Sequence, residues 1–403
     1  MSRSTPASSS SPRAGAPEPP LAPRVLAIQP SGIREIVDAA SKKPQAIHLE
    51  AGQPNFPVPL HIAEAAQRAI SDGWNYYTPT AGIPTLRELI AAKVTRVNGF
   101  RAQASDVICT NGGTGAISAA LMATLAAGDE VLLPDPAWPI YAMLCKLLGV
   151  EPTFYRCPPD NGFEPDVDAL AAAITPRTRM IVINSPNNPT GAVYRQHTVE
   201  AVLDLAVRHN LWVLSDECYD QIIFDNKVVS PARLLDDGRV ISVYAFSKTY
   251  SMTGWRLGYA VAAPRVMASL IKVQQSISSS ISSISQKAGE AALSGPQEVI
   301  GDMVAIYRKR RDMVVDLLQE AELLMNVPAG AFYMMADVSA SGLDSKQFAL
   351  RLLDEREVAV SPGLALGLSM PRAVRMSLAT QDDLLREGVS RLCEFARELR
   401  RDR

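Results

Sequence analysis

Residues 247–259 read SKTYSMTGWRLGY and follow the apolar run VISVYAF at 240–246. A short apolar run bounded by polar residues reads as a buried strand, which puts Lys248 just past its end. Desolvation at such a place lowers a lysine's pKa and makes its amine a nucleophile toward an aldehyde. Ser247 and Arg256 flank it and can hold a phosphate, the arginine through a two-pronged fork. Taken alone, the lysine also fits an ordinary surface residue closing a strand.

Upstream, LWVLSDECY (211–219) repeats the pattern, with Asp216 at the end of an apolar run. A carboxylate buried there without a partner is costly. A pyridinium N–H would satisfy it, and keeping that nitrogen protonated makes the ring an electron sink. Tyr219, three residues on, can reach the same place and donate to a phenolate oxygen. The alternative is that Asp216 caps a following helix. RMIVIN (179–184) runs into SPNNPTG (185–191), a fixed turn that presents the Asn188 amide at a strand end. NGGTG (111–115) opens a helical stretch, so its backbone N–H groups form an anion site.

These polar motifs punctuate one alternating series. Apolar runs at DVICT, EVLLPDP, RMIVINSP, LWVLSDE, VISVYAFSK and LGYAVAA alternate with helical patterns from residue 106 onward. Continuously apolar strands between helices indicate an α/β fold with a mostly parallel sheet covered on both faces. Ligands of such sheets sit at the carboxyl ends of the strands, where the motifs cluster. After about residue 296 the character changes. A charged helix from Gly301 to Glu322, AFYMMADV, a helix from Ser345 to Arg356 and the strands EVAVSP and AVRMSLAT read as a smaller α+β unit.

The bulk properties narrow the function classes. The 403 residues carry a net charge of −2, with 47% hydrophobic and 20% charged side chains. That balance gives no reason to expect nucleic acid or an anionic membrane surface. No apolar run approaches the roughly 20 residues that span a bilayer. Five cysteines without CxxC spacing indicate a reducing compartment, and four histidines without ligand spacing argue against a metal site. The expected location is the cytoplasm. Residues 1–23, rich in Ser, Pro and Ala, lack an apolar h-region and read as a disordered tail. A rival reading takes Gly113 and Gly115 as the start of a dinucleotide-binding GxGxxG, with Asp135 at 20 residues' distance. Ser118 replaces the third glycine, and a nicotinamide dehydrogenase gives Lys248 nothing to do.

The motifs together resemble the pyridoxal-phosphate (PLP) enzymes of fold-type I, specifically the class I/II aminotransferases of the aspartate aminotransferase superfamily. YYTPTAGIPTLRELIA, TNGGTGA, GDEVLLPDPAWPIY, SPNNPTGAVY, SDECYD, SKTYSMTGWRLGY, GAFYMMADV and AVRMSLAT occur in family order from about Gly52 to the end. The resemblance implies a large PLP-binding domain with a mostly parallel seven-stranded sheet over residues 51–296. It implies a small domain over 297–403, with 24–50 as that domain's N-terminal segment. Lys248 resembles the Schiff-base lysine, Asp216 the partner of the pyridine nitrogen, and Asn188 and Tyr219 the pair at the cofactor's 3′ oxygen. Gly113, Thr114, Ser247 and Arg256 fall where the family cradles phosphate, and Trp138 where an aromatic ring stacks on the cofactor. Tyr77 matches a tyrosine that reaches the partner subunit's phosphate, which implies a homodimer with shared sites. Arg375 and Gly52 match contacts to the substrate α-carboxylate, and Asn188 lies close to the same group.

The implied reaction moves an amino group from an L-amino acid to a 2-oxo acid in two half-reactions, with Lys248 carrying the proton. The same residues also serve lyases, decarboxylases and oxidases, and a regulator on this fold would carry an added DNA-binding domain. Trp138 replaces a common tyrosine, Gly115 stands where larger residues are usual, and PGLALGLS is short, with Leu366 in place of a frequent phenylalanine. The run SISSSISSIS (276–285, counting from Ser276) aligns with a Ser/Thr-rich segment near the dimer's active site and reads as structural.

Overall fold

The apolar runs become strands in the computed structural model, which describes residues 19–29, 31–225 and 227–401. After a two-residue strand β1 (Ile47–His48) come β2 (Val107–Asn111), β3 (Glu130–Asp135), β4 (Glu151–Arg156), β5 (Thr178–Asn184), β6 (Trp212–Asp216), β7 (Val240–Ala245) and β8 (Leu257–Val261). β2 to β8 form one seven-stranded sheet in the order β2-β8-β7-β6-β5-β3-β4. β3 to β7 are mutually parallel, whereas β8 is antiparallel to both its neighbours, β7 and β2. The reversal follows from chain length. Only residues 246–256 separate β7 from β8, fewer than the dozen or so a parallel crossover needs. The same short return keeps Lys248 and Arg256 in one loop above the sheet's active edge.

Both faces of the sheet are dry. Val182, Leu214, Ile241 and Val243 pack into one cluster, while Leu132, Ile181, Ile183 and Val213 pack into another. This is why the central strands read as unbroken apolar runs. β4 lies at the edge with Phe154 exposed, and its mixed sequence EPTFYR gave no apolar run to read.

The rest of the sheet structure lies beyond residue 330. β9 (Tyr333–Asp337), β10 (Val358–Ala359), β11 (Ser361–Pro362) and β12 (Ala373–Ser377) follow the long helix Glu298–Glu320. β11, β12 and β9 form an antiparallel sheet, and β10 pairs in parallel with β1. EVAVSP, expected as one strand, therefore splits between two sheets. Pro362 cannot donate to a ladder, so the second piece pairs with β12 over two residues only. Ile36, Ala40, Ile47 and Leu49 share a buried cluster with Phe348, Leu352, Val358 and Phe395.

Of the expected tail, residues 1–18 lie outside the described residues; 19–22 are exposed, and Pro23–Leu26 form one exposed helical turn. Among the described residues no helix is long and apolar enough to cross a membrane. The serine run joins helices Pro264–Ser278 and Ser283–Ser294. Ser282 caps the second by accepting from the Ser285 N–H at 3.2 Å, and Ser283 Oγ donates to the Trp74 carbonyl at 2.6 Å.

Candidate active site

Six strands end at one edge of the sheet, in Asn111, Asp135, Arg156, Asn184, Asp216 and Ala245, and the reversed β8 begins there at Leu257. A cavity of about 330 Å³ opens over that edge. Its walls include Gly52, Gly113, Thr114, Trp138, Asn188, Asp216, Tyr219, Ser247, Lys248, Arg256 and Arg375, which the sequence scatters over more than 300 positions.

Asp216 is 3% exposed. Its Oδ2 accepts from Tyr141 Oη at 2.6 Å and its Oδ1 from the Cys218 N–H at 3.1 Å. Burial pushes its pKa above the ordinary aspartate value; the Tyr141 and Cys218 hydrogen bonds and the charge of Lys248 oppose the shift. Among the described residues no helix follows until Pro231–Leu234, so Asp216 is not a helix cap. The Lys248 ammonium donates to the Gly52 carbonyl at 2.5 Å and lies 5.9 Å from the centre of the Tyr219 ring. The Tyr219 hydroxyl is hydrogen-bonded to that of Tyr333 at 3.0 Å, and burial raises its pKa well above that of free tyrosine.

At one end of the cavity the helix Gly112–Thr124 begins without a side-chain cap, since Asn111 makes none. Its first N–H groups have no intrahelical acceptor, and the helix dipole adds positive potential beside Ser247 and Arg256. A side chain at Gly113 would put its Cβ 2.7 Å from Cys218 Sγ, so the turn can lie against the sheet edge only as glycine. At the other end Arg375, 3% exposed, lies 4.5 Å over the Tyr333 ring. Its Nη1 donates to Asn188 Oδ1 at 3.0 Å, and its Nη2 to the Glu50 carbonyl at 2.7 Å and to Ser361 Oγ at 3.0 Å. Its Nε is buried with no partner. A Cβ at Gly52 would come within 2.5 Å of the Tyr333 hydroxyl, so that turn too must lack a side chain.

Over residues 44–392 the chain matches the family described as aminotransferase class I and II. It belongs to that family. The aspartate aminotransferase of Pyrococcus horikoshii is 37% identical over 375 residues, 92% of this chain and 96% of that protein. The aspartate/prephenate aminotransferase of Thermus thermophilus is 37% identical over 392 residues, 94% of this chain and 99% of that protein. A solved structure of the Thermus thermophilus aspartate aminotransferase with maleate superimposes with a TM-score of 0.90 at 36% identity, covering 94% and 100% of the two chains. The fold is that of the fold-type I enzymes, and the protein is an aminotransferase. That favours amino transfer over the lyase, decarboxylase and oxidase readings.

Of the residues the resemblance assigns to cofactor or substrate, Tyr77 alone is absent from the walls of this cavity. It is 90% exposed and lines a shallow surface groove with Trp74, Tyr76, Ile281 and Ser282. The site also brings together residues that sequence reasoning passed over. Tyr141 lies in the first turn of the helix Ile140–Leu148 that follows Trp138 in DPAWPIY, and nothing in its local sequence marks it. Tyr333 and Ser361 come from the small antiparallel sheet, and Glu50 contributes its carbonyl just before the Gly52 turn. Asp135, the acidic residue of the dinucleotide reading, instead accepts from the Ser369 hydroxyl at 2.8 Å and so ties PGLALGLS to the end of β3.

Tyr141→Phe removes a donor from a buried carboxylate and is expected to cost about 1–3 kcal/mol of stability at about pH 8. Asp216 has a raised pKa in the folded chain. Its ionised form therefore destabilises the fold above that pKa, and the penalty is relieved as pH falls toward the ordinary aspartate value. The variant raises the folded pKa further, so its deficit should shrink at about pH 5. Denaturant midpoints at the two pH values check this, and a deficit that grows toward acid would contradict it.

Proposed function

We propose that the aminotransferase works with pyridoxal 5′-phosphate held by this cavity, in a homodimer whose two sites are shared. One observation carries the reading. A single cavity is lined by a buried carboxylate, a lysine amine and an uncapped helix N-terminus. The groups present suit the cofactor. Asp216, short of positive charge in a dry site, suits a pyridinium N–H. The N–H groups of Gly113 and Thr114, the Ser247 hydroxyl and the Arg256 guanidinium suit a phosphate. Trp138 supplies an aromatic wall for a flat ring, and Asn188 and Tyr219 supply donors for a phenolate oxygen.

When bound, the cofactor supplies an aldehyde that takes up the donor's amino group and a protonated ring that stores the electron pair of the broken Cα–H bond. Arg375 would bind the donor's α-carboxylate through its buried, unpartnered Nε, beside the Gly52 turn. Asn188 has its Oδ1 engaged by Arg375, which leaves its Nδ2 to donate inward. Lys248 holds the cofactor between turnovers. Once displaced, its Nζ would take the proton from the donor's Cα and deliver it two atoms away, to the carbon that had carried the aldehyde. The second half-reaction runs the same residues in reverse on a 2-oxo acid. Relatives are named for aspartate and prephenate, which fits an L-amino acid donor and an oxo-acid acceptor.

The dimer rests on the surface groove. Trp74, Tyr76, Tyr77 and Ile277 expose 36%, 82%, 90% and 59% of their surface, an apolar patch of the kind that marks an interface. Tyr77 is then free to reach the partner's phosphate site. Residues 24–50 are proposed to belong with 297–403 in a smaller domain, and 51–296 to form the larger one; the pairing of β1 with β10 supports this division.

Borohydride reduction of the PLP-loaded protein should fix cofactor mass on the peptide carrying Lys248. Lys248→Ala should show no such adduct and lose roughly 10²- to 10⁴-fold in turnover. A variant that keeps the adduct or the activity contradicts the assignment. Mixing inactive Lys248→Ala with inactive Tyr77→Phe should restore activity through hybrid dimers that contain one unaltered site. No recovery after demonstrated subunit exchange would remove Tyr77 from the site.

A further inference from the structure

Residues 51–59, AGQPNFPVP, form neither helix nor strand, yet the Gly52 carbonyl receives the Lys248 ammonium and the Gly52 turn shares a cavity wall with Arg375. An irregular segment gains no ladder or helix bonds to offset the entropy of being fixed, so side chains from other elements must hold it. Only Gln53 and the buried Pro54 separate Gly52 from Asn55, and the proline's fixed φ stiffens that link. Whatever holds Asn55 and Phe56 therefore also places Gly52.

Both are held from one stripe of the helix Glu298–Glu320. Arg310, 6% exposed, donates from Nη1 to Asn55 Oδ1 at 2.9 Å and to the Leu378 carbonyl at 3.1 Å. Its Nε donates to Asp382 Oδ1 at 2.7 Å, and its guanidinium lies 5.4 Å from the centre of the Phe56 ring. Tyr307, three residues back on the same face, meets Phe56 edge-on at 5.2 Å and stacks on Phe332 at 5.3 Å. Leu378 directly follows β12, the strand of Arg375, and Phe332 directly precedes β9. A guanidinium presents its donors in a rigid plane. With Asp382 and Leu378 fixing that plane, Asn55 can be accepted in one place only. A lysine could pair with Asp382 but could not serve all three partners at once.

We propose that Arg310 is a positioning residue for amino transfer: it holds the Gly52 turn at a fixed distance from Arg375, so that the two can grip one α-carboxylate. This rests on the reading above in which Arg375 and the Gly52 turn share that group. Arg310 acts from outside the cavity, through Asn55 and Phe56 on one side and the end of β12 on the other.

The test compares the PLP-loaded wild type with Arg310→Lys, Arg310→Gln and Asn55→Ala. Amino donor and oxo-acid acceptor share the α-carboxylate, so both KM values should rise together. The rise should be about tenfold for the Arg310 variants and about threefold for Asn55→Ala, with kcat within about threefold of wild type. An arginine with a merely structural role would instead lower the denaturation midpoint and the active fraction, hence kcat, and leave both KM values in place. Hydrogen exchange on the cofactor-free protein gives a readout independent of turnover. Peptides covering 51–59 should exchange faster in all three variants, and those covering 373–380 faster in the Arg310 variants alone. Asn55 is exposed, so its truncation decides the matter even if the Arg310 variants do not fold. Unchanged KM values in Asn55→Ala, or unchanged exchange over 51–59, would overturn the proposal. Arg375→Lys separates the two levels. If it spares both KM values, the α-carboxylate reading fails and this inference with it. If it raises them while Asn55→Ala does not, this inference alone falls.

Discussion

A carboxylate cannot be left bare in the middle of a protein, and Asp216 ends the fourth of seven strands at 3% exposure. Burial drives its pKa upward, and the Tyr141 hydroxyl, the side chain and N–H of Cys218 and the charge of Lys248 resist. Two hydrogen bonds meet part of what an ionised carboxylate needs, and a cationic partner is the physical complement of the rest. The surrounding architecture serves that requirement. The parallel strands bring Asn188, Asp216 and Ser247 to one edge, and the reversed β8 returns Arg256 to the same edge. The helix at Gly112 points its uncapped N-terminus into the same space.

The site is also a junction. Arg375 on β12 reaches Asn188 beyond β5, Tyr333 on β9 meets Tyr219 beyond β6, and Lys248 beyond β7 reaches Gly52. Each bond joins a residue at the edge of the large sheet to one outside it. A shift of the small antiparallel sheet against the large one would therefore be felt at Asn188 and at Tyr219 together, while Asp216, Tyr141 and Cys218 keep their places on the large sheet.

Much of this was legible in the sequence because the chemistry sits at strand ends. Lys248, Asp216, Asn188 and the NGGTG turn each follow an apolar run, so a period-free apolar stretch locates them as well as a structure does. The helices Ile140–Leu148 and Ser345–Arg356 were readable to the residue. The direction of β8 was not, because it depends on the length of a connection and not on any residue within the strand. β4 escaped because an edge strand need not be apolar throughout. Tyr141 escaped because its role is a tertiary hydrogen bond to a residue 75 positions away.

The central claim is that Asp216 stays ionised and holds a proton on the cofactor's ring nitrogen. The most direct test is the ¹⁵N chemical shift of the pyridine nitrogen in labelled pyridoxal phosphate bound to the protein at about pH 8, far above the ordinary carboxylate range. The account predicts a protonated nitrogen in the wild-type protein and a neutral one in Asp216→Ala. A neutral nitrogen in the wild-type protein would contradict it.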